Sequence, residues 1–331
     1  MKSQKFGEVL TLGDINIDTV WPIDRLPEPG HDAYAQAVSS GLGGATLNTA
    51  IVLDRLGQAA AVLSCLGCDP YAGQARAMIS QTGVNQAYIV ENAEHDTGLI
   101  FILVTPDGER TMITYRGANV YYPPEDVPET AFRDASILHI SGYSLLQKPQ
   151  ADAVWRAVAF AQKYHVAISL DTGLEPALII PDELRRLIAT ADICISGPKE
   201  AGQLFGTDDP EKAARYLLKE GIQLAGIKLG EKGCYLADAK ADCFCPAFSV
   251  EVKDTTGAGD SFTAGLLYGW LRGWDLPACA VLGSALGALA TTVHGAGLSL
   301  PTKTETLEFL GGKHSPDISR REIEKVIAAL A

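Results

Sequence analysis

Short apolar segments alternate with helical patterns along the chain, and this alternation constrains the fold more than any other sequence feature. In the middle of the chain, the pattern predicts strands at 137–140, 166–171, 193–195 and 225–229. The intervening segments have helical spacing, at 151–163, 182–189, 200–205 and 210–219. Strands that alternate with helices form βαβ units and a mostly parallel sheet, so we expect an α/β fold.

The flanking segments extend this pattern. Towards the N-terminus we predict strands at 8–13 and 60–66 and helices at 45–56 and 71–82. Towards the C-terminus we predict strands at 234–237 and 242–245 and helices at 257–271, 275–294 and 319–330. Together these elements make one large α/β domain.

Two other regions do not follow the βαβ pattern. Strict polar–apolar alternation predicts strands with one wet face at 14–20 and 31–38, followed by a glycine-rich loop at 39–44. A hairpin is predicted from 97–104 and 110–115, with its turn at Pro106-Asp107-Gly108. We expect these strands to form a small separate sheet. Its apolar face, which includes Ile100, Ile102 and Val104, predicts dimerisation between two copies of this sheet.

Charge and hydropathy exclude several functional classes. The 331 residues include 40 acidic and 27 basic side chains, for a net charge of −13. This balance argues against an unselective nucleic-acid binder and against an anionic membrane surface as a partner. No segment approaches 18 consecutive apolar residues, and the N-terminus lacks a secretory apolar region. We therefore expect a cytoplasmic protein. The seven cysteines are scattered and do not predict a disulfide framework.

The segment from Asp254 to Phe262 carries the clearest chemical information. Gly257 and Gly259 allow the backbone to approach a ligand closely at the start of a helix, where N–H groups bind anions. Asp260 can take a proton from a hydroxyl beside that anion. An anion site beside a carboxylate suits phosphoryl transfer to an alcohol. The alternative, that Asp254 and Asp260 only cap the helix, explains less well why two glycines lie in its first turn.

Two signatures in this sequence resemble those of the ribokinase-like (PfkB) carbohydrate kinases. DTTGAGDSFTAG, residues 254–265, is similar to their C-terminal signature, and LGGATLNTAIVLDRLG, residues 42–57, is similar to their N-terminal signature. GDINIDTV, residues 13–20, resembles their opening strand. The resemblance implies a Rossmann-like α/β/α sandwich with a small β-sheet lid. It also implies a single kinase domain over residues 1–331, with the lid at about 14–40 and 96–117.

The implied activity is phosphoryl transfer from ATP, with Mg²⁺, to a primary hydroxyl of a sugar or a related small polyol. The catalytic positions implied are a base and an anion hole, at Asp260 and at Gly257, Ala258 and Gly259. The substrate-binding positions are Asn16, Asp18, Gly43, Gly44, Asn48 and Asp260.

The resemblance also assigns two sets of ligands besides the substrate. Nucleotide and Mg²⁺ binding fall to Lys228, Gly230, Gly233, Gly257, Gly259 and Glu200. A monovalent cation, K⁺, falls to Asp254, Thr256, Ala290, Val293, Gly295 and Ser299. Read without the resemblance, Asn16 and Asp18 suit a solvated strand face, and Asn48 suits a helix cap.

The chain departs from the family pattern at several positions. Gly197 replaces the Asn of the family's Asn-x-x-Glu motif, which leaves the Mg²⁺ contacts open. Gly142 stands where ribokinases often have a Glu that binds the sugar. No cation follows the Gly43-Gly44 pair. Arg110 and Arg116 on the lid hairpin either reach a substrate carboxylate or phosphate or are solvated strand ends. The alternatives are therefore a nucleoside kinase, a 2-keto-3-deoxy sugar-acid kinase, or a non-catalytic sugar-binding regulator.

Overall fold

A computed structural model describes residues 7–106, 109–312 and 318–331. The strands are β1 (Glu8–Leu12), β2 (Asn16–Pro22), β3 (Ser39–Gly43), β4 (Ala60–Gly67), β5 (Ile89–Asn92), β6 (Gly98–Val104), β7 (Arg110–Tyr115), β8 (Ala135–Ser141), β9 (Ala167–Asp171), β10 (Ile193–Ser196), β11 (Leu224–Lys228), β12 (Cys234–Ala237) and β13 (Asp242–Cys245). The α-helices are α1 (Ala45–Arg55), α2 (Pro70–Ile79), α3 (Gln150–Tyr164), α4 (Leu174–Ile179), α5 (Pro181–Ile188), α6 (Pro198–Phe205), α7 (Pro210–Lys219), α8 (Ala258–Leu271), α9 (Leu276–Ala290), α10 (Lys303–Gly311) and α11 (Arg320–Leu330).

The larger sheet confirms the α/β prediction. Its strand order is β13-β12-β11-β10-β9-β8-β1-β4-β5. The seven strands from β11 to β5 are parallel, and β12 and β13 at the other end of the sheet are antiparallel. Because parallel strands end at one edge, the last residues of β9, β10 and β11 lie along the same edge: Asp171, Ser196 and Lys228.

Apolar side chains on the two faces of this sheet build two separate cores. Along β1, Val9 belongs to the core packed against α1, α2, α8 and α9, whereas Leu10 and Leu12 belong to the core packed against α3, α5 and α7. Successive residues of a strand point to opposite faces, so one buried strand supplies both cores. The result is an α/β/α sandwich. None of the described helices is long and apolar enough to cross a membrane.

The smaller sheet has the order β3-β2-β6-β7 and partly corrects the prediction. Residues 31–38 were predicted as a strand, but they form only an isolated bridge between Ile23 and Ala35 and are mostly exposed. The predicted loop at 39–44 instead contains β3, which pairs with β2 through its backbone. Backbone pairing does not depend on side-chain alternation, which explains why the pattern failed here.

The predicted hairpin is confirmed as the antiparallel pair β6–β7, but Asp107 and Gly108 of its turn lie outside the described residues. The apolar face predicted from Ile100, Ile102 and Val104 is only partly exposed. Ile100 pairs with Asp18 and therefore faces the same side as that carboxylate, and Ile102 is buried, although Met112 opposite it is exposed. Three further exposed apolar side chains lie on the other side of the hairpin, at Phe101, Ile113 and Tyr115.

Other differences concern short elements and helix ends. The sequence analysis missed β5, α4 and α10, and α9 ends at Ala290 rather than at residue 294. Short segments carry too few residues for a hydrophobic period to be recognised.

The contact between α8 and α9 depends on a pair of glycines, which generates a test of the fold. A Cβ on Gly265 would lie 2.8 Å from the Cα of Gly283, whereas a Cβ on Gly73 in α2 would meet nothing within 4 Å. We expect Gly265→Ala to lower the free energy of unfolding by about 1–3 kcal/mol through overpacking. Gly73→Ala, the matched control, should leave it unchanged or raise it by up to about 1 kcal/mol. Denaturant titration compares the two; a Gly265→Ala protein as stable as the wild type would contradict the packing described.

Candidate active site

The loop before α8 leaves the start of that helix open to a ligand. Gly257 adopts a left-handed conformation with φ of 76°, and a Cβ there would lie 2.7 Å from Leu300 Cδ2. A glycine is therefore required for both reasons. Within the described part of the chain, no side chain caps α8. Its first N–H groups can consequently bind an anion, as predicted for Gly257, Ala258 and Gly259.

Asp260 lies in the first turn of α8 and is held by Asn48 of α1. Asn48 Nδ2 donates to Asp260 Oδ2 at 2.8 Å, while Asn48 Oδ1 accepts from Gly297 N at 3.1 Å. Each end of the Asn48 amide thus has a protein partner and keeps capacity for one more hydrogen bond, so its predicted contact with a sugar stays a prediction. Asn48 is therefore placed as a support for Asp260.

The electrostatic surroundings of Asp260 suit proton transfer. The pKa of this carboxyl is raised to about 6, mainly by burial. The hydrogen bond from Asn48 and the charge of Lys228 oppose this rise, and the charge of Asp171 adds to it. A carboxylate with a pKa near 6 is ionised at neutral pH and still accepts a proton readily.

Asp18, on β2 of the small sheet, points a buried carboxylate towards the same region. Its side chain is 8% exposed, and its Oδ1 has no hydrogen-bond partner among the described residues. Burial, together with the charges of Asp260 and Asp254, raises its pKa to about 7. A Cβ on Gly43 would lie only 2.0 Å from Asp18 Oδ1, so the glycine makes room for this carboxylate. Oδ1 lies against this glycine and is closed to solvent, so a substrate hydroxyl reaches it only after a local rearrangement.

Asn16 and Gly44 are positioned by neighbours that the sequence analysis did not identify. Asn119, fully buried, donates to Asn16 Oδ1 at 2.9 Å and also bonds both backbone groups of Ile15. Gly44 has φ of 113°, and a Cβ there would meet Asp14 O at 2.0 Å. Nothing in the local pattern around Asn119 marks it, because its partners lie about 100 residues away.

Both arginines of the lid hairpin are paired with carboxylates of the chain, whereas the sequence left open a substrate contact or a solvated strand end. Arg116 binds both oxygens of Asp14, at 2.8 and 2.9 Å. Arg110 binds Asp254 Oδ1 at 3.0 Å and also donates to the hydroxyls of Thr255 and Thr256. Their charges are thus largely neutralised, and Arg110 ties the lid to the loop before α8.

The residues predicted to hold a monovalent cation are partly assembled around Asp254. Asp254 Oδ1 accepts from Thr256 N at 2.9 Å, and Oδ2 accepts from Gly295 N at 2.8 Å. Burial opposes the charge of Asp254, but the hydrogen bonds from Thr256 and Gly295 and the charge of Arg110 outweigh it and lower its pKa. Ala290 ends α9, and Val293 and Ser299 line one cavity with Lys253. Of the predicted cation ligands, these contacts therefore bring together Asp254, Thr256 and Gly295, and the ionised carboxylate of Asp254 is a group that suits a cation.

The turn after β11 carries the predicted nucleotide residues. Leu229 N donates to Gly233 O at 2.8 Å, and Gly230 and Gly233 have φ of 59° and 106°. Lys228 Nζ lies 2.5 Å from Asp171 Oδ2, and a Cβ on Gly259 would lie 3.4 Å from the same Nζ. The amine of Lys228 is therefore adjacent to the glycine turn of Asp260. Asp171 was not identified from the sequence.

Glu200 folds back over the position where the resemblance expects an Asn. A Cβ on Gly197 would lie 2.5 Å from Glu200 Oε2, so the side chain of an Asn would displace this carboxylate. The glycine therefore leaves space for Glu200 at the start of α6. Mg²⁺ is usually bound by one or two carboxylates together with the phosphates of the substrate. Glu200 therefore fits the predicted metal.

Comparisons with known proteins agree with this arrangement. The family model for pfkB family carbohydrate kinases matches residues 7–303. A ribokinase of Haemophilus influenzae is 30% identical over 304 residues, covering 90% of this chain and 97% of its own. An aminoimidazole riboside kinase of Salmonella typhimurium is 30% identical over 316 residues, covering 92% and 95%. A candidate ribokinase II of E. coli, solved in complex with ATP and Mg²⁺, superposes with a TM-score of 0.84 at 25% identity, covering 92% and 99%.

Proposed function

The chain belongs to the pfkB family of carbohydrate kinases, and from this premise we propose how its site works. It is an ATP-dependent kinase of a sugar or a related small molecule. We propose that the acceptor is a primary hydroxyl, which Asp260 deprotonates while the N–H groups from Gly257 to Asp260 bind the phosphoryl group. The observation that carries this proposal is the Asp260 carboxylate, held by Asn48 at the uncapped start of α8.

Each residue then has a defined part in the reaction. Asp18 and Asn16 bind hydroxyls of the substrate and orient it towards Asp260. Asp260 Oδ1 or Oδ2 takes the hydroxyl proton as the oxygen attacks, and the α8 N–H groups stabilise the charge on the phosphoryl oxygens. Mg²⁺, held through Glu200 and the phosphates, neutralises charge on ATP. Lys228, Gly230 and Gly233 line the nucleotide site.

The names of two relatives favour one class of acceptor. They are a ribokinase and an aminoimidazole riboside kinase, so a free sugar or a riboside is favoured. Sugar acids and nucleosides remain alternatives within the family. A non-catalytic sugar-binding regulator is disfavoured, because such a protein has no need for a positioned base with a raised pKa.

The remaining parts of the proposal concern organisation. Residues 1–331 form a single kinase domain whose lid comprises about 14–40 and 96–117. Two copies dimerise through the exposed apolar side chains of the lid, Phe101, Ile113 and Tyr115. The protein works in the cytoplasm, where ATP is abundant; its seven free cysteines fit a reducing compartment.

The first prediction concerns substrate class. Because Arg110 and Arg116 are paired with Asp254 and Asp14, neither arginine of the lid hairpin is left to bind a second phosphate. We expect an unphosphorylated acceptor. An ADP-release screen over free sugars, sugar acids, nucleosides and phosphosugars measures kcat/KM for each class. A phosphosugar with a far higher kcat/KM than every unphosphorylated compound would contradict this.

The second prediction concerns the base. Asp260→Asn keeps the size of the side chain but cannot take the hydroxyl proton, so kcat should fall by roughly 10²–10⁴-fold. The melting temperature and ATP affinity should change little. Asp209→Asn is the matched control, since Asp209 caps α7 far from any predicted ligand and Asn caps equally well. Near-normal turnover of Asp260→Asn would contradict the proposed role.

The third prediction concerns the monovalent cation. Asp254 Oδ2 accepts one hydrogen bond, from Gly295, and so can also coordinate an ion that orders the loop before α8. We expect K⁺ to raise kcat relative to Na⁺ at equal ionic strength, and Asp254→Asn to reduce this difference. Equal rates in the two salts would count against a cation site here.

A further inference from the structure

Lys228 and Asp171 form a charged pair beneath the start of α8. The two residues end strands β11 and β9, on either side of β10, and their Nζ and Oδ2 atoms are 2.5 Å apart. Thr263, one turn after Asp260 in α8, donates its hydroxyl to the same Asp171 oxygen at 3.2 Å. The pair is therefore fixed to both the central sheet and the helix that carries Asp260.

The amine of Lys228 is also open towards the glycine turn. Gly259 has no side chain to cover it, and a Cβ there would meet only Lys228 Nζ at 3.4 Å and Cδ at 3.9 Å. The Lys228 and Asp171 side chains remain 23% and 14% exposed. An ammonium group has three donors, and among the described residues Asp171 is its one protein acceptor, which leaves donors for a ligand.

The positive charge of Lys228 offsets the negative charge of the site. Asp18, Asp254, Asp260 and Glu200 bring negative charge to a region that must also accept a phosphoryl group. Arg110 is bound to Asp254, and Ala45 and Gly197 supply no charge. Burial opposes the charge of Lys228, but its ion pair and hydrogen bond with Asp171 outweigh burial and raise its pKa. Lys228 therefore stays protonated throughout the neutral range.

We propose that Lys228 is a catalytic residue that binds the transferring phosphoryl group, and that Asp171 is the positioning residue that aims it. The inference rests on the proposed kinase function. It extends the role of Lys228 from lining the nucleotide site to stabilising the transition state. The bond from the β–γ bridging oxygen to phosphorus breaks, and the substrate oxygen forms the new bond. The hydroxyl proton passes to Asp260, ADP leaves with the bridging oxygen, and Lys228 keeps its proton.

The test compares variants of this pair with variants of a surface pair. Lys228→Met removes the charge, and Asp171→Asn leaves the lysine but removes its ionic partner. Lys163→Met is the matched control, because Lys163 pairs with Glu129 at 2.6 Å on the exposed surface. For each protein we would measure kcat, KM for ATP, the melting temperature, and ADP affinity by calorimetry.

Loss of one preorganised donor to developing charge typically lowers kcat by about 10²–10³-fold, and we expect Lys228→Met to fall in that range. ADP affinity should fall far less than kcat, because ADP keeps the phosphates of the nucleotide site but lacks the transferring group. Asp171→Asn should lower kcat by less. Lys163→Met should match the wild type.

The pattern of losses separates a phosphoryl ligand from a structural ion pair. A structural pair whose loss disturbs the site lowers kcat, ADP affinity and the melting temperature together, whereas loss of a donor to the transferring group lowers kcat far more than ADP affinity. If Lys228→Met fails to fold, Asp171→Asn still tests the inference through the same comparison of its kcat with its ADP affinity.

Three outcomes overturn the inference: kcat of Lys228→Met within about threefold of wild type, ADP affinity that falls as far as kcat, or, for an unfolded Lys228→Met, an Asp171→Asn protein with wild-type kcat. Asp260→Asn in the same assay distinguishes the failures. If Asp260→Asn loses turnover and Lys228→Met does not, only the role of Lys228 is wrong. If neither loses turnover, the proposed function is wrong.

Discussion

The hydrogen bond from Asn48 to Asp260 is the contact on which the arrangement of the site depends. It joins two helices that are 212 residues apart in sequence. The first, α1, follows directly from β3 of the small sheet, so the lid and Asn48 are linked through Gly43 and Gly44. The second, α8, follows the loop that contains Asp254. A single amide thus fixes the acidic group relative to both the lid and the glycine turn.

Burial makes this contact chemically useful. Asp260 and Asp18 both lose hydration, and the mutual repulsion of nearby carboxylates adds to the effect on Asp18. Keeping two such groups together destabilises the folded state at neutral pH unless a ligand or a cation compensates. Lys228 supplies part of that compensation, and Arg110 neutralises Asp254 at the edge of the same region. The site is therefore best matched by a ligand that donates hydroxyl hydrogen bonds.

The sequence predicted those parts of the structure that depend on local pattern. Strand–helix alternation predicted the parallel sheet, and the glycines around Asp260 predicted the open helix start, because both arise from neighbouring residues. The pairings of Lys228 with Asp171 and of Asn119 with Ile15 could not be predicted, since each joins distant segments. Likewise, β3 pairs through its backbone and shows no alternation, whereas the alternating residues 31–38 find no partner strand.

The central claim is that the ionised Asp260 carboxylate takes the proton of the substrate, and the pH dependence of kcat/KM tests it most directly. A base must be deprotonated in the free enzyme, so kcat/KM should rise with pH between about 6 and 7, the range in which Asp260 and the neighbouring Asp18 titrate. In Asp18→Asn, which weakens substrate binding but keeps the base, this limb should persist. In Asp260→Asn the residual activity should lose it. A limb near 6 that survives unchanged in Asp260→Asn would contradict the account.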